Sequence, residues 1–297
     1  MDQAEQLRRL VNQQNRPKNT ARVITVTSGK GGVGKSSTSL NLAISLSRLG
    51  NRVLILDADF GLANIEVMLG IRPKFNLADL MFYGKELQDI ITEGPQNVGF
   101  ISGGSGIAEL TRLTKEQIMY LIQKMDYLDE IADIIIVDTG AGISDLVMEF
   151  VSVSSEVLLV TTPEPTSITD SYAVLKALHR RDNFNKEETI IKMISNRIYS
   201  EEEGKEIFNK LNTVVKKFLN IEMEYLGGIP QDRAVSQAIM QQKPVIMAYP
   251  NSTAAKAIVS LAERICQGNM ELPEETRGIK RIFANLIRRR MTTDRKE

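Results

Sequence analysis

The chain has 297 residues, of which 42% are hydrophobic, so it is long enough to bury a full core. Lysine plus arginine and aspartate plus glutamate both number 37, and the zero net charge counts against nucleic acid as a partner. The single cysteine, Cys266, excludes an internal disulfide and a cysteine-ligated cluster within one chain, and we expect it in the core. There is no signal peptide and no apolar run of the ~20 residues that span a bilayer, so we expect a cytoplasmic protein that at most lies on a membrane.

The N-terminal segment, residues 1–16, is polar, and we expect residues 1–14 to form a helix with one apolar side. That side consists of Ala4, Leu7, Leu10 and Val11. Pro17 and the asparagines around it separate this segment from the domain that follows. A frayed tail is the alternative interpretation.

A β-branched run over residues 23–27 predicts a buried strand, and residues 37–49 have the apolar spacing of a helix. Between them, residues 29–36 match the phosphate-loop pattern G-x-x-x-x-G-K-[ST]. In such a loop the glycine backbone and the helix N-terminus bind phosphate, the lysine reaches the β- and γ-phosphates, and the serine hydroxyl contacts Mg²⁺. The residues expected to bind ATP here are Gly29, Lys30, Gly31, Gly32, Val33, Gly34, Lys35, Ser36 and Ser37.

A second lysine, Lys30, lies inside the loop, where an ordinary phosphate loop needs no cation. With it the loop resembles the deviant Walker A motif of the MinD/ParA class of ATPases. The resemblance implies that Lys30 reaches the phosphates of the partner in an ATP-bound homodimer. There it would stabilise charge on the transferring phosphoryl group, as an arginine finger does. We therefore assign Lys30 and Lys35 catalytic roles.

Residues 52–57 predict a second buried strand that ends in Asp57-Ala58-Asp59. Carboxylates at the carboxyl end of a parallel strand, beside a phosphate site, suit Mg²⁺ and the attacking water. The resemblance implies that Asp59 positions this water and that Asp57 lies near the metal. Ordinary turn residues are the alternative interpretation.

The middle of the chain predicts an amphipathic helix over residues 77–91 and a strand over 98–102. A glycine run at 103–106 lacks the Lys-Ser of a phosphate loop, and we interpret it as a loop beside the dimer face. A helix follows from residue 114 to about 128.

The apolar strand at 133–138 then ends in Asp138, a Walker B arrangement that would hold a metal-bound water or the Ser36 hydroxyl. The metal residues are thus predicted to be Ser36, Asp57 and Asp138.

Later strands at residues 156–161, 189–194 and about 223–226 alternate with helices through 178 and from 253 to 265. The resemblance implies that residues after the last two strands contact adenine. They are Asn196, Arg197, Pro230 and Gln231. His179, the only histidine, has no evident partner, so we expect no general-base role for it.

Residues 276–292 follow a polar hinge and combine basic residues with one apolar helical face. We interpret this segment as an amphipathic helix that binds an anionic lipid membrane, so that the protein cycles between the cytoplasm and the inner face of the cell membrane. The membrane-facing residues are Ile279, Ile282, Phe283, Leu286 and Ile287. A basic tail that docks on a protein or on nucleic acid is the alternative.

Alternating strands and helices over residues 20–268 predict an α/β domain: a doubly wound, mostly parallel sheet flanked by helices. The helical segments 1–16 and 276–292 would be appendages. All motifs fall after predicted strands, so the ligand should lie at the carboxyl ends of the strands.

Residues 2–8, Asp-Gln-Ala-Glu-Gln-Leu-Arg, resemble the N-terminal DQAxxLR motif of the FlhG family, also called YlxH or FleN. This resemblance implies an ATPase that regulates flagellar placement and number, with slow Mg-dependent turnover. It also implies that the segment stimulates an FlhF-type GTPase through Gln3 and Leu7, and that flagellar switch-complex proteins or a transcriptional regulator are further partners.

Other functions of the same fold remain open. A MinD-type division-site ATPase would share the loop and the tail but would not need residues 2–8. A ParA-type DNA-partitioning ATPase fits poorly with zero net charge. A metal-cluster carrier lacks cysteines, and a tyrosine autokinase relative would have a C-terminal tyrosine cluster, which this sequence does not contain.

Overall fold

The computed structural model describes residues 20–59, 64–104, 115–268, 278–280 and 282–283. Strands and helices alternate along most of this part of the chain. The strands are β1 Arg22–Ser28, β2 Val53–Ala58, β3 Ile91–Glu93, β4 Gly99–Ser102, β5 Ile134–Ala141, β6 Glu156–Thr161, β7 Ile190–Ile198 and β8 Met223–Pro230. The helices are α1 Lys35–Arg48, α2 Asn64–Leu69, α3 Leu77–Phe82, α4 Leu87–Ile90, α5 Lys115–Ile131, α6 Asp145–Ser152, α7 Pro165–His179, α8 Glu201–Leu219, α9 Arg233–Met240, α10 Val245–Ala248 and α11 Thr253–Gln267.

Within the described residues the strands form one eight-stranded sheet in the order β3-β4-β2-β5-β1-β6-β7-β8. Every neighbouring pair is parallel except β3–β4, which is an antiparallel edge. The central strands β2 and β6 are fully buried and β1 is buried from Val23 onward, because helices cover both faces of a parallel sheet. The predicted doubly wound, mostly parallel α/β fold is confirmed.

Side chains along each strand alternate between two apolar layers, as the period of two requires. On β1, Ile24 and Val26 belong to the layer that packs under α1 and α11, whereas Val23 belongs to the layer under α5. β5 follows the same alternation between Ile136 and Val137. This alternation fixes the register that brings the motif-bearing strand ends together.

Three local predictions were wrong. Residues 77–91 form the two short helices α3 and α4 and the start of β3, because Gly84 has a φ of +67° and interrupts the helix. Cys266 is exposed at the end of α11. The last two strands are longer than predicted, since β7 continues through Asn196 and Arg197 to Ile198 and β8 continues through Gly228 to Pro230.

The described residues of the C-terminal segment pack on the domain. Ile279, Ile282 and Phe283 are at most 3% exposed and join the apolar layer under α5. The Phe283 ring meets Phe150 of α6 edge to face, with centroids 6.1 Å apart. The segment was predicted as a separate appendage with these three side chains facing lipid, but here they complete the core. In the part of the chain that is described, no helix is long and apolar enough to cross a bilayer.

Candidate nucleotide-binding site

The phosphate loop joins β1 to α1 in a conformation that glycines make possible. Gly32 and Gly34 have φ values of +77° and +91°, which side chains strain to adopt. Gly34 is the N-cap of α1, and no side chain caps this helix end. Gly29 packs directly on the backbone of Asp170 and Ser171 in α7, where a Cβ would clash. The first turn of α1 therefore offers free N–H groups and a positive dipole end to an anion.

Lys35 and Asp138 form a buried ion pair at the centre of the site. The Lys35 Nζ lies 3.0 Å from the Asp138 Oδ1, and the two side chains are 6% and 0% exposed. Ser39 donates its hydroxyl to the same oxygen at 2.8 Å. Lys35 Nζ also donates to the Ser36 hydroxyl at 3.3 Å. The phosphate-loop lysine thus points at the Walker B carboxylate.

Asp57 lies directly beside Asp138, because the two are register partners on neighbouring strands β2 and β5. Burial, and then the charge of Asp138, raise the pKa of Asp57 to about 7, although N–H groups of Asp59 and Ile65 donate to its carboxylate. Burial also raises the pKa of Asp59, whose Oδ2 accepts a hydrogen bond from Asn64 at 2.8 Å.

These oxygens suit Mg²⁺. Asp138 Oδ2 is buried and has no hydrogen-bond partner, which is costly unless a ligand satisfies it. Ser36, Asp57 and Asp138 supply the hard oxygen donors that Mg²⁺ prefers, and a cation would offset the repulsion between the two neighbouring carboxylates. The predicted metal residues therefore lie together and fit the ion.

Lys30 is held by its own chain at the entrance to the loop. Its Nζ lies 2.6 Å from the Glu164 Oε2 and donates to the Thr166 hydroxyl at 3.0 Å. The hydrogen bond and the charge of Lys30 lower the pKa of Glu164. Because both side chains are partly exposed, the ion pair is weak and can exchange for another partner.

Asn196 and Arg197, predicted to contact adenine, lie against the phosphate loop. Asn196 Nδ2 donates to the Val33 carbonyl at 2.7 Å, and Arg197 donates to the Gly32 carbonyl at 2.7 Å. Arg197 has a φ of +60°, an unusual value for a residue other than glycine. The two side chains hold the loop from the β7 side.

β8 ends at Pro230, and Gln231 directly after it donates its N–H to the Ile198 carbonyl at 2.8 Å. Asp232 follows and caps α9 through Ala234 N. Its second oxygen accepts the Thr253 hydroxyl at 2.7 Å at the start of α11. One carboxylate thereby fixes two helix ends beside the site, and these hydrogen bonds lower the pKa of Asp232.

The structure brings the predicted loop, Lys30, Lys35, the three aspartates and the β7 and β8 strand ends to one edge of the sheet. Gln3, Leu7, Leu286 and Ile287 lie outside the described residues. Sequence reasoning assigned no role to Ser39, Glu164 or Asp232. Asp232 alone carried a local signal, since an aspartate before an apolar helix is a good N-cap.

An open hollow of about 430 Å³ lies elsewhere, lined by His179 and residues 182–187. None of the predicted site residues lines it.

Comparison with known proteins agrees with this site. Residues 19–266 match a ParA family model described as NUBPL iron-transfer P-loop NTPase. The chain is 41% identical over 265 residues to the antiactivator FleN of Pseudomonas aeruginosa, covering 89% of this chain and 92% of that relative. It is 33% identical to the flagellum site-determining protein YlxH of Helicobacter pylori, covering 97% of this chain and 98% of that one.

Solved structures of the same fold include a septum site-determining protein MinD from Pyrococcus horikoshii complexed with Mg-ADP. It superposes with a TM-score of 0.65 at 26% identity and covers 83% of this chain and 96% of that chain. The cell division ATPase MinD of Pyrococcus furiosus gives a TM-score of 0.64 at 27% identity, covering 82% and 98%. The resemblance predicted from the sequence is confirmed.

Proposed function

Because this chain belongs to the ParA/MinD family of P-loop NTPases, we propose that it is an ATP-switched regulator of flagellar placement and number. The observation that carries this proposal is the similarity, over nearly the full length of both chains, to a FleN and a YlxH protein. The MinD of Bacillus subtilis is less similar, at 27% identity, so a division-site role is the second candidate.

ATP would bind with its phosphates in the loop between β1 and α1 and its base near Asn196 and Gln231. For Lys35 to reach the phosphates it must leave Asp138, and Ser36, Asp57 and Asp138 would then hold Mg²⁺. When bound, Mg²⁺ would supply positive charge that offsets the charge of the phosphate oxygens. Asp59 would orient the attacking water, and we expect the hydrolysis to be slow and switch-like.

In this proposal Lys30 promotes ATP-dependent dimerisation by contacting the nucleotide of a second copy. Its ammonium would exchange the partly exposed Glu164 carboxylate for the phosphates bound by a second copy. A phosphate cluster carries more negative charge than one carboxylate, so the exchange is favourable when ATP is present. With ADP the charge is smaller and the chain returns to the monomer.

Membrane cycling would depend on the C-terminal segment. In this structure its apolar residues 279, 282 and 283 are buried, so they cannot meet lipid until the segment undocks. Phe283 packs on Phe150 of α6, a helix that begins just after the loop following Asp138. A rearrangement of that loop around ATP can therefore loosen the segment. In the dimer two released segments bind anionic lipid far more strongly than one, since the second arrives at high effective concentration.

Two other functions have less support. DNA partitioning lacks a basic surface field, because the net charge is zero. The matching family description mentions iron transfer, yet Cys266 is the one cysteine in the sequence and a cluster needs several thiolates.

The proposed ATP cycle can be tested by size-exclusion chromatography with light scattering. We expect a monomer in Mg-ADP and a dimer in Mg-ATP that Asp59→Ala accumulates, because this variant binds ATP without hydrolysing it. Lys30→Ala is the matched control and should stay monomeric with normal ATP binding. An Asp59→Ala protein that remains monomeric in Mg-ATP contradicts the proposed dimer.

Residues 1–16 would stimulate an FlhF-type GTPase partner. Side-chain amides can orient an attacking water, so Gln3 is the polar contributor and Leu7 the apolar anchor. A peptide of residues 1–11 should accelerate GTP hydrolysis by that partner, and Gln3→Ala should abolish the effect. Unchanged turnover with the peptide favours the division-site candidate instead.

A further inference from the structure

The C-terminal segment occupies a groove that we call the tail groove. We define it by five residues of the apolar cluster that the segment joins: Ala21, Leu121, Met125, Leu128 and Phe150. Three side chains of the segment, at positions 279, 282 and 283, fill it. Two acidic residues of α5 border it: Asp129 accepts the Ile279 N–H at 3.0 Å, and Asp126 pairs with the Lys280 ammonium at 2.9 Å. The groove thus selects an apolar triplet with a basic residue after its first member.

The same pattern occurs near the start of the chain. Residues 279–283 read Ile-Lys-Arg-Ile-Phe, and residues 7–11 read Leu-Arg-Arg-Leu-Val. In both, apolar residues stand at i, i+3 and i+4, which is one face of a helix, and two basic residues separate the first from the second. Residues 7, 10 and 11 therefore match the apolar triplet 279, 282 and 283 in spacing, are similar to it in size, and have basic neighbours at the same two positions.

The chain connects this counterpart to the groove over a short distance. Gly278 donates its N–H to the Ala21 carbonyl at 3.1 Å, and a Cβ on Gly278 would lie 2.7 Å from Thr20 Cγ2. Thr20 is therefore at the edge of the groove, where the described part of the domain begins. Eight residues, 12–19, separate Val11 from Thr20 and can span at most about 30 Å when extended. A docked five-residue helix is only about 7.5 Å long, so residues 7–11 can reach every part of the groove.

We propose that residues 7–11 are a second occupant of the tail groove and enter it when the C-terminal segment leaves. Leu7, Leu10 and Val11 would replace the apolar triplet, and Arg8 would pair with Asp126. Charge complementarity favours this occupant, because the groove border is acidic and the segment is basic. The short tether keeps the local concentration near millimolar, so a weak intrinsic affinity is sufficient.

This inference rests on the proposed function in one respect, that the C-terminal segment undocks. Its consequence is mutual exclusion: the groove covers residues 7–11 while the tail is on the membrane and leaves them free for a partner while the tail is docked. Occupation also keeps an apolar surface covered that would otherwise face water.

The test uses hydrogen exchange on the full chain. Phe283→Glu places a carboxylate at a fully buried position and should expel the C-terminal segment. In this variant we expect amides of residues 4–11 to exchange at least about tenfold more slowly than in the wild type. Adding Leu10→Glu should remove that protection, whereas Gln13→Glu, the same charge change off the apolar side, should preserve it. Gly278→Ala repeats the comparison with a second way of expelling the tail.

The proposal is overturned if residues 4–11 exchange equally fast in the wild type and in both tail-expelled proteins, or if Leu10→Glu and Gln13→Glu behave alike. Flotation of the wild-type chain with anionic vesicles in Mg-ATP reports separately on the membrane role. Protection without flotation would leave the groove exchange standing and refute the membrane proposal, and the opposite result would do the reverse.

Discussion

At the nucleotide site, the fold buries an ion pair between Lys35 and Asp138 even without a bound nucleotide. Asp138 is fully buried, and Lys35 is its only charged hydrogen-bond partner among the described residues. Removing one member of a buried pair strands the other, which costs more than losing an exposed pair. Removing either Lys35 or Asp138 should therefore destabilise the folded chain even without nucleotide.

We expect Lys35→Ala to lower the free energy of unfolding by about 3 kcal/mol without nucleotide, because Asp138 loses its counter-charge. Lys30→Ala is the matched control: it removes a partly exposed lysine from the same loop and should cost less than about 1 kcal/mol. Urea unfolding measures both. An equal loss of unfolding free energy in the two variants would show that the buried Lys35–Asp138 pair contributes no more than the exposed Lys30–Glu164 pair.

Most site residues could be predicted because their signals are local. The loop motif marks Lys30 and Lys35, and a strand-end aspartate marks Asp57 and Asp138. What the sequence could not reveal is which residues meet across the fold. Glu164 reaches Lys30 from 134 positions away, and Arg197 reaches the Gly32 carbonyl from 165 positions away. Those pairs depend on strand order, which no local pattern encodes.

Among the elements, the C-terminal segment is the one whose packing bears most on function. Gly278 begins it with a φ of +96°, and a Cβ there would lie 2.7 Å from both Asp129 Oδ2 and Thr20 Cγ2. The element is thus anchored at one residue that has no room for a side chain. Burial of its three apolar side chains contributes roughly 5–9 kcal/mol before the cost of ordering the segment.

We expect Gly278→Ala to release the segment, because the added methyl group meets Thr20 and Asp129. Gly50→Ala is the matched control, since Gly50 has a similar φ of +93° and nothing within 4 Å of its Cβ position. Binding to anionic vesicles in Mg-ADP should rise at least several-fold for Gly278→Ala and stay unchanged for Gly50→Ala. A rise in both variants would assign the effect to general strain.

Docking of the segment should also depend on pH through Asp129. Burial raises the pKa of Asp129 to about 6, with Asp126 adding to the rise and the Ile279 and Lys280 N–H groups opposing it. Undocking uncovers the carboxyl and returns its pKa towards 3.8, so the docked state binds more protons between about pH 4 and 6. Docking therefore strengthens as the pH falls through 6 and is weakest above it.

Asp129→Asn tests this sign, because the amide keeps an acceptor for the Ile279 N–H without a charge to desolvate. We expect amides 282 and 283 in this variant to be more protected than in the wild type at pH 7.5, with the two proteins converging at pH 5. Greater protection of the wild type at pH 7.5 would mean that the carboxylate charge holds the segment in place.

Element boundaries were predictable where periodicity was strong, as for the strand at 156–161, and failed where one residue decided the outcome. Gly84 divides the apolar pattern of 77–91, and its effect depends on a positive φ that the sequence permits but does not require. The amphipathic pattern at 279–283 fits lipid and fits a protein groove equally well. The periodicity of apolar residues predicts an apolar helix face, but whether lipid or protein covers that face depends on the tertiary structure.

At the scale of the whole molecule, the nucleotide site and the tail groove lie on different parts of one sheet. β5 carries Asp138 at the site and ends at Ala141, and the α6 helix that follows contributes Phe150 to the groove. A change at the γ-phosphate therefore has a short covalent path to the C-terminal segment. We propose that ATP, through this path and through dimerisation, exposes the segment to lipid.

Flotation with anionic vesicles tests that claim most directly. The wild type should float in Mg-ATP and remain at the bottom in Mg-ADP, and the flotation should weaken with salt because basic residues contribute to binding. Phe283→Glu should abolish flotation while light scattering still reports a dimer in Mg-ATP. A wild-type chain that stays at the bottom of the gradient in Mg-ATP, or that floats equally in both nucleotides, would contradict the account.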